Sequence, residues 1–355
     1  MDEDVRRIDS RVGIVQLGSR TIAMLIMGAL PTTDSTECAN RQCRCTVAIP
    51  RMMLVALSML ILVSCVKRNR GDVARQEIKP IEITSKTGVA LVLIPGGEFR
   101  MGSDTDRPDE SPRHAVQVSP FAIDKYEVTQ REFATLELPD PSQFKSPERP
   151  VEQIRWVSAA EHCNERSNAE GFEACYDAVT FECNFEASGY RLPTESEWEY
   201  AARSGVDDDD SPAGSSQKLR SYACYAGNSK KKTDTVGSKR PNSWGLHDML
   251  GNVTEWCNDN YSESYYAHSP LADPRGPSTG ETRVIRGGSW NSGETSCRVS
   301  AREERVAGFT DACFTGNTLG FRCVRRLTAD EFRRLQEANP DLMDSALIGH
   351  ALDDQ

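Results

Sequence analysis

Residues 189–203 read GYRLPTESEWEYAAR, the stretch of this chain that says most about its fold. Thr194 and Glu197 have the spacing of a capping box, in which a hydroxyl and a glutamate three residues later satisfy each other's free backbone amides. A helix is therefore predicted to begin after Thr194. Its inward-facing side chains are predicted to be Trp198, Ala201 and Ala202.

Two further capping boxes predict the other helices that precede the C-terminal tail. They are Thr129-x-x-Glu132, for a helix to about Leu136, and Ser158-x-x-Glu161, for a helix to about Ser167. The rest of the chain has short β-branched runs separated by Gly, Pro, Asn and Ser, such as Val89–Ile94, Ala115–Val118 and Arg283–Arg286. This pattern predicts an α+β fold with little regular secondary structure.

The front of the chain has the pattern of an export signal. Residues 52–64 form an uninterrupted apolar run, MMLVALSMLILVS, which follows several arginines. A membrane-spanning helix needs about 20 apolar residues, so this run is too short to span and suits the core of a signal peptide. It ends in Leu-Val-Ser-Cys65, which resembles a bacterial lipobox, where the cysteine is lipidated and becomes the mature N-terminus. The alternative is an ordinary signal sequence with a chance cysteine.

Composition divides the chain into four segments. Residues 1–65 are predicted as an N-terminal extension with a lipoprotein-type signal peptide, 66–87 as a polar tether, 88–327 as one domain and 328–355 as a tail. Helical spacing of Phe332 and Leu335, among other residues, predicts a short helix in that tail. The net charge is −11, which argues against nucleic-acid binding because such proteins present a basic face. We expect a lipid-anchored protein of the cell envelope, on the periplasmic side or at the cell surface.

Cysteine usage agrees with export. Outside the N-terminal segment the chain has an even number of cysteines, which in an exported domain suggests disulfides. The candidates are Cys163, Cys175, Cys183, Cys224, Cys257, Cys297, Cys313 and Cys323. Sequence cannot choose among their possible pairings. Each bridge would add about 2–4 kcal/mol of stability by constraining the unfolded chain.

Several phrases between residues 89 and 326 resemble, in sequence and in order, the formylglycine-generating enzyme family, also called the sulfatase-modifying factors. They are Leu91–Ser103, Phe121–Thr129, Pro150–Gln153, Gly189–Arg203, Asn242–Trp256, Arg286–Trp290 and Asn317–Arg322. The resemblance implies an irregular variant of the C-type lectin fold. It leaves function open, because the family also includes siderophore-tailoring proteins, catalytically silent paralogues and ligand-display domains.

The resemblance places the family's reactive centre after Arg-Gly-Gly-Ser289. The copper-dependent oxidases carry Cys-His-x-x-Tyr-Cys there, whereas this chain reads Ser-Gly-Glu-Thr-Ser-Cys from Ser292 to Cys297. Cu(I) is a soft ion that prefers thiolate, and a serine hydroxyl is a hard, neutral oxygen. Copper is therefore not expected as a cofactor. Cys297 and Ser289 are the catalytic candidates, although Cys297 is more simply read as half of a disulfide, and Thr254 stands where the oxidases have a tryptophan.

The resemblance also implies a structural calcium ion. The positions that hold it in the catalytic relatives match Asp248 and Glu255, through their side chains, and Gly251 and Val253, through their carbonyls. Calcium prefers several oxygen ligands, carboxylate and carbonyl mixed, supplied by a turn that wraps the ion. The alternative is a turn held by hydrogen bonds alone.

Two functions of different classes remain after the sequence is read. The first is a non-oxidase, lipid-anchored module that binds a protein, peptide or glycan at the cell envelope. The second is a formylglycine-generating oxidase that converts a sulfatase cysteine to formylglycine. The Ser292 and Cys297 positions separate the two, and whether the chain is an enzyme stays open at this point.

Overall fold

The computed structural model describes residues 81–205, 216–307 and 316–338. The predicted signal peptide, the lipidation candidate Cys65 and the disulfide candidate Cys313 lie outside these residues. Within the described ranges, no helix is long and apolar enough to cross a membrane.

The described residues form short strands and a few helices, as expected for the predicted α+β fold. In chain order they are β1 (Ile81–Thr84), β2 (Ala90–Ile94), β3 (Gly97–Met101), β4 (His114–Val118), β5 (Phe121–Asp124), β6 (Tyr190–Arg191), β7 (Thr254–Asn260), β8 (Thr282–Arg286), β9 (Arg302–Val306), β10 (Leu319–Gly320) and β11 (Val324–Arg326). The strands predicted from β-branched runs are confirmed in β2, β4 and β8.

The larger sheet has five strands in the order β1-β2-β5-β11-β6. All four pairings are antiparallel, and Ile81 lies opposite Leu93 at the β1–β2 edge. The tether predicted to reach residue 87 therefore ends earlier, because β1 pairs with β2 inside the domain.

The second sheet has four strands in the order β10-β7-β8-β9, and β3 and β4 form a separate hairpin. The β7–β8 and β8–β9 pairings are antiparallel, whereas β10 and β7 run parallel. Strand β8 leads directly into the predicted reactive centre, and β7 follows the predicted calcium turn. This sheet therefore positions both candidate sites.

The helices are α1 (Gln130–Thr135), α2 (Trp156–Glu170), α3 (Glu195–Arg203), α4 (Ser216–Tyr222) and α5 (Ala329–Glu337), with short 3₁₀ turns at Pro108–Glu110, Tyr265–His268 and Glu294–Ser296. Both hydrogen bonds of the capping box are present at the start of α1 and of α3, as predicted. The box predicted at Ser158 is wrong, because α2 already begins at Trp156, with Arg155 as an N-cap that makes no side-chain cap. Helix α4 was not predicted, and α5 lies in the tail where a helix was expected.

Helix α3 is fixed to the second sheet by buried ion pairs as well as by apolar packing. The predicted inward-facing residues, Trp198, Ala201 and Ala202, are buried. Glu199 is paired with Arg286 at the end of β8, and Glu195 accepts two hydrogen bonds of 2.8 Å from Arg302 in β9. These pairs hold the end of β8, and thus the start of the Gly-Gly-Ser segment, at a fixed position against the helix.

Candidate functional site

The predicted reactive centre is a tight loop that follows β8. Gly287 and Gly288 have φ angles of 93° and 71°, a left-handed conformation that favours glycine. A Cβ atom on Gly288 would lie 2.9 Å from the Cys297 sulfur, so the loop backbone packs directly on that thiol. The glycines therefore allow Ser289 and Cys297 to belong to one compact loop.

Ser292 closes this loop through its hydroxyl. Its Oγ accepts a 2.9 Å hydrogen bond from the Ser289 backbone amide and lies 3.1 Å from the Ser289 Oγ. The Ser292 carbonyl accepts a 3.0 Å hydrogen bond from the Ala226 amide. Ser292, which stands where the oxidases have a cysteine, is thus part of a hydrogen-bonded turn. Its hydroxyl has two polar neighbours, the amide and the hydroxyl of Ser289.

The Cys297 thiol is held in its neutral form. Burial raises its pKa to about 12, with Cys224, Glu303 and Glu294 adding to the rise and no cation among the causes. Only 3% of the residue is exposed, and it belongs to the apolar core beneath the loop. Because the thiolate is the form that attacks substrates and binds metals, this environment suits a structural cysteine.

The seven disulfide candidates that the structure describes are free thiols. The sulfur atoms of Cys163 and Cys323 lie 3.6 Å apart, in the core between α2 and the start of β11. The Cys297 sulfur packs against Gly288 and is not part of this pair. Among the cysteines, Cys224 is the one that contributes to the raised pKa of Cys297. The geometry therefore favours Cys163 as the partner of Cys323, and disulfide formation stays a prediction.

Of the predicted calcium residues, Asp248, Gly251 and Val253 lie in the turn before β7, and Glu255 is the second residue of that strand. Gly251 has φ = 81°, and a Cβ atom there would lie 2.3 Å from the Cys224 carbonyl oxygen, so only glycine fits. Asp248 accepts a 2.6 Å hydrogen bond from the Gly237 amide through Oδ2. Its other oxygen, Oδ1, is buried and has no hydrogen-bond partner. Buried polar atoms are nearly always partnered, and an orphaned carboxylate oxygen is the kind of ligand that a cation would satisfy.

Glu255 is more fully engaged than Asp248. Its two oxygens accept hydrogen bonds of 2.6 and 2.7 Å from the Arg322 guanidinium, and Oε2 also accepts one of 2.8 Å from the Trp198 indole. Within the described residues, no three His, Cys, Asp or Glu side chains are placed to hold one metal ion by themselves. Calcium here would need the carbonyls of Gly251 and Val253 as well as Asp248, and would share Glu255 with Arg322.

Sequence reasoning missed Glu127, which completes this buried group. Glu127 Oε1 accepts a 3.0 Å hydrogen bond from the Val253 amide, and Oε2 accepts one of 2.5 Å from the Asn252 side chain. The signal that could have found it is an acid within the family phrase Phe121–Thr129. Its position beside the turn depends on contacts between distant parts of the chain.

Full ionisation would give this buried group an excess of negative charge. Glu127, Asp248 and Glu255 are buried with Arg322 as the guanidinium partner, so full ionisation of three carboxylates and one cation leaves two negative charges. Burial raises the pKa of Asp248 to about 6, with Glu255 adding to the rise. Burial, followed by Asp248 and Glu255, raises the pKa of Glu127 well above its ordinary value. A divalent cation or bound protons would remove this imbalance.

Comparisons with known proteins agree with the arrangement of fold and site. Residues 77–327 match the model of the sulfatase-modifying factor enzyme 1-like domain. The chain is 33% identical to the chaperone protein LppX of Paenibacillus barcinonensis, with 66% of this chain and 89% of that protein covered. It is 34% identical to the formylglycine-generating enzyme of Streptomyces coelicolor, with 66% and 88% covered.

A solved structure gives the same result for the fold. The structure of Treponema denticola variable protein 1 superposes with a TM-score of 0.62 at 31% identity, covering 70% of this chain and 99% of that one. The match confirms the α+β fold predicted from the sequence. On the family model, the relatives and this structure together, the chain belongs to the sulfatase-modifying factor enzyme 1-like domain family.

Proposed function

We propose that this chain is a non-oxidase member of its family and acts as a binding or accessory module at the cell envelope. The observation that carries the proposal is Ser292, whose hydroxyl closes the loop on Ser289 where an oxidase would present a second thiol. A neutral oxygen in a hydrogen-bonded turn is a poor ligand for Cu(I).

The state of Cys297 supports the same proposal. Burial raises the pKa of its thiol to about 12, so the thiolate that copper or a substrate would need is scarce at neutral pH. Restoring the missing thiol alone would therefore leave the remaining cysteine buried and protonated. Copper is accordingly not proposed as a cofactor, whereas calcium is proposed as a structural one, on the orphaned Asp248 oxygen.

Location and partner class complete the proposal. The sequence that ends at Cys65 and resembles a lipobox, and the similarity to a protein named as a chaperone, support a lipid-anchored protein with a protein, peptide or glycan partner in the envelope. A binding module needs no reactive centre, only a stable surface on a rigid scaffold. The buried ion pairs around α3 provide such a scaffold.

The second candidate is a formylglycine-generating oxidase. The specific observation in its favour is 34% identity to the Streptomyces coelicolor enzyme over most of that protein's length, together with the retained Cys297. The two candidates make opposite predictions for copper binding and for chemistry on a peptide thiol.

The decisive test incubates the purified domain with copper, a reductant and a Cys-x-Pro-x-Arg peptide, followed by mass spectrometry. We expect an unchanged peptide and weak Cu(I) binding in competition with a chromophoric chelator. Ser292→Cys is the matched variant. Its added thiol should raise the affinity for Cu(I), but because Cys297 stays buried and protonated we expect the peptide to remain unchanged. Conversion of the peptide cysteine to its aldehyde by the wild type would overturn the proposal and make Cys297 catalytic.

A further inference from the structure

The segment from residue 218 to 240 has a charge opposite to that of the whole chain. It contains seven Lys and Arg residues and one acid, Asp234, in a protein with a net charge of −11. Lys230, Lys231 and Lys232 are adjacent and exposed. Among the described residues, no carboxylate lies within ion-pair distance of their ammonium groups, which leaves three neighbouring positive charges facing solvent.

Two of these lysines occupy strained backbone positions. Lys230 and Lys231 have φ angles of 54° and 61°, in the left-handed region where a residue with a Cβ atom is disfavoured relative to glycine. Glycine would satisfy the same turn without strain. Strain of this kind at an exposed loop points to a role for the side chains.

The loop that presents the lysines is firmly attached to the domain. Ser229 is buried and its amide donates a 2.9 Å hydrogen bond to the Tyr225 carbonyl. Beyond the lysines, Thr233 is buried, and the Asp234 amide donates a 2.8 Å hydrogen bond to Asn252 Oδ1. The lysine side chains therefore project from a backbone that is anchored on both sides.

The same loop borders the Ser292 turn. The Ala226 amide, a few residues before the lysines, donates its 3.0 Å hydrogen bond to the Ser292 carbonyl. The positive charges thus lie on a segment that is hydrogen-bonded to the Ser292 turn.

We propose that Lys230, Lys231 and Lys232 form a binding surface for an anionic polysaccharide. This proposal rests on the proposed binding function and names its partner class. The lysine ammonium group is a compact charge that binds anions such as phosphate. Arginine differs because its planar guanidinium can donate two parallel hydrogen bonds to one carboxylate. Repeated anionic groups along a sugar chain match three adjacent exposed lysines that have no carboxylate within ion-pair distance among the described residues.

The test compares binding to dextran sulfate and to uncharged dextran, which share a backbone and differ in their anionic groups. Lys230→Gly/Lys231→Gly removes two charges and the backbone strain together, whereas Lys230→Arg/Lys231→Arg keeps both. We expect the wild type and the arginine variant to bind dextran sulfate and not dextran. The glycine variant should bind at least about tenfold more weakly, because it loses two of the three charges that attract an anionic surface.

The glycine variant should also melt at a higher temperature than the wild type, because glycine relieves the left-handed strain. Loss of binding with a gain in thermal stability cannot be attributed to misfolding. Equal affinity of the wild type and the glycine variant, or no binding by the wild type, would overturn the proposal.

Two further probes distinguish other anionic partners. Binding to phosphatidylglycerol vesicles or to polyglutamate in preference to dextran sulfate would also overturn the polysaccharide assignment. The copper and peptide assay does not involve these lysines. Failure of the polysaccharide proposal would therefore be seen separately from failure of the non-oxidase proposal.

Discussion

Calcium binding at Asp248 can be tested with a single change, Asp248→Asn. The substitution preserves side-chain shape and the acceptor for the Gly237 amide while removing one negative charge from the buried group. If calcium binds there, the wild type should be stabilised by the ion and the variant should respond weakly. Without calcium, the wild type should carry an uncompensated buried carboxylate that the variant lacks.

The magnitude follows from linkage. A ligand at a hundred times its Kd stabilises the folded state by about 2.7 kcal/mol, which for a domain of this size raises Tm by roughly 5–10 °C. In chelator, the raised pKa of Asp248, about 6 against an ordinary 3.8, means that the folded state binds the proton more tightly than the unfolded state does. The wild type should therefore lose on the order of 1–3 kcal/mol relative to the variant as the pH rises from about 4 to about 7.

Thermal unfolding of both proteins in calcium and in chelator, across that pH range, is the assay. Asp259→Asn is the matched control, because Asp259 is also a buried acid with a raised pKa. Its carboxylate accepts a hydrogen bond from the Glu195 amide at the start of α3 and is not one of the predicted calcium ligands. Its calcium response should equal that of the wild type. Identical wild-type melting in calcium and in chelator would refute the reasoning and favour a turn held by hydrogen bonds alone.

Three further predictions concern cysteine and histidine side chains. Cys65→Ser should prevent incorporation of labelled fatty acid and release the protein from membranes, and equal membrane association of both forms would contradict the lipobox. Peptide mapping without reductant should find Cys163 joined to Cys323 in exported protein, with about 2–4 kcal/mol lost in Cys163→Ser, whereas two alkylated thiols would argue against the bridge. Burial lowers the pKa of His162 to about 3, so stability should fall as the pH drops below its ordinary value of 6.5, and His162→Leu should reduce that loss in acid unfolding curves.

Elements specified by neighbouring residues were predicted well. The boxes at the starts of α1 and α3 and the strands β2, β4 and β8 depend on hydrogen bonds or alternation within a few positions, which a sequence displays directly. The start of α2 was misplaced, because Ser158 has the residue type of a cap but lies inside a helix that begins at Trp156. Strand β1 was missed because four residues give too short a pattern, and its pairing with β2 is what defines it.

The sequence by itself determined the family's phrases, the loss of a thiol at Ser292 and the candidates at the calcium turn. Only the tertiary structure decided the surroundings of those residues. In the folded protein Glu127 lies beside Asp248, and Arg322 donates hydrogen bonds to Glu255. The Cys297 thiol is buried, and Asp248 Oδ1 has no hydrogen-bond partner. Each of these depends on burial and on contacts between residues far apart in the chain, which fix charge and pKa and which no local pattern encodes.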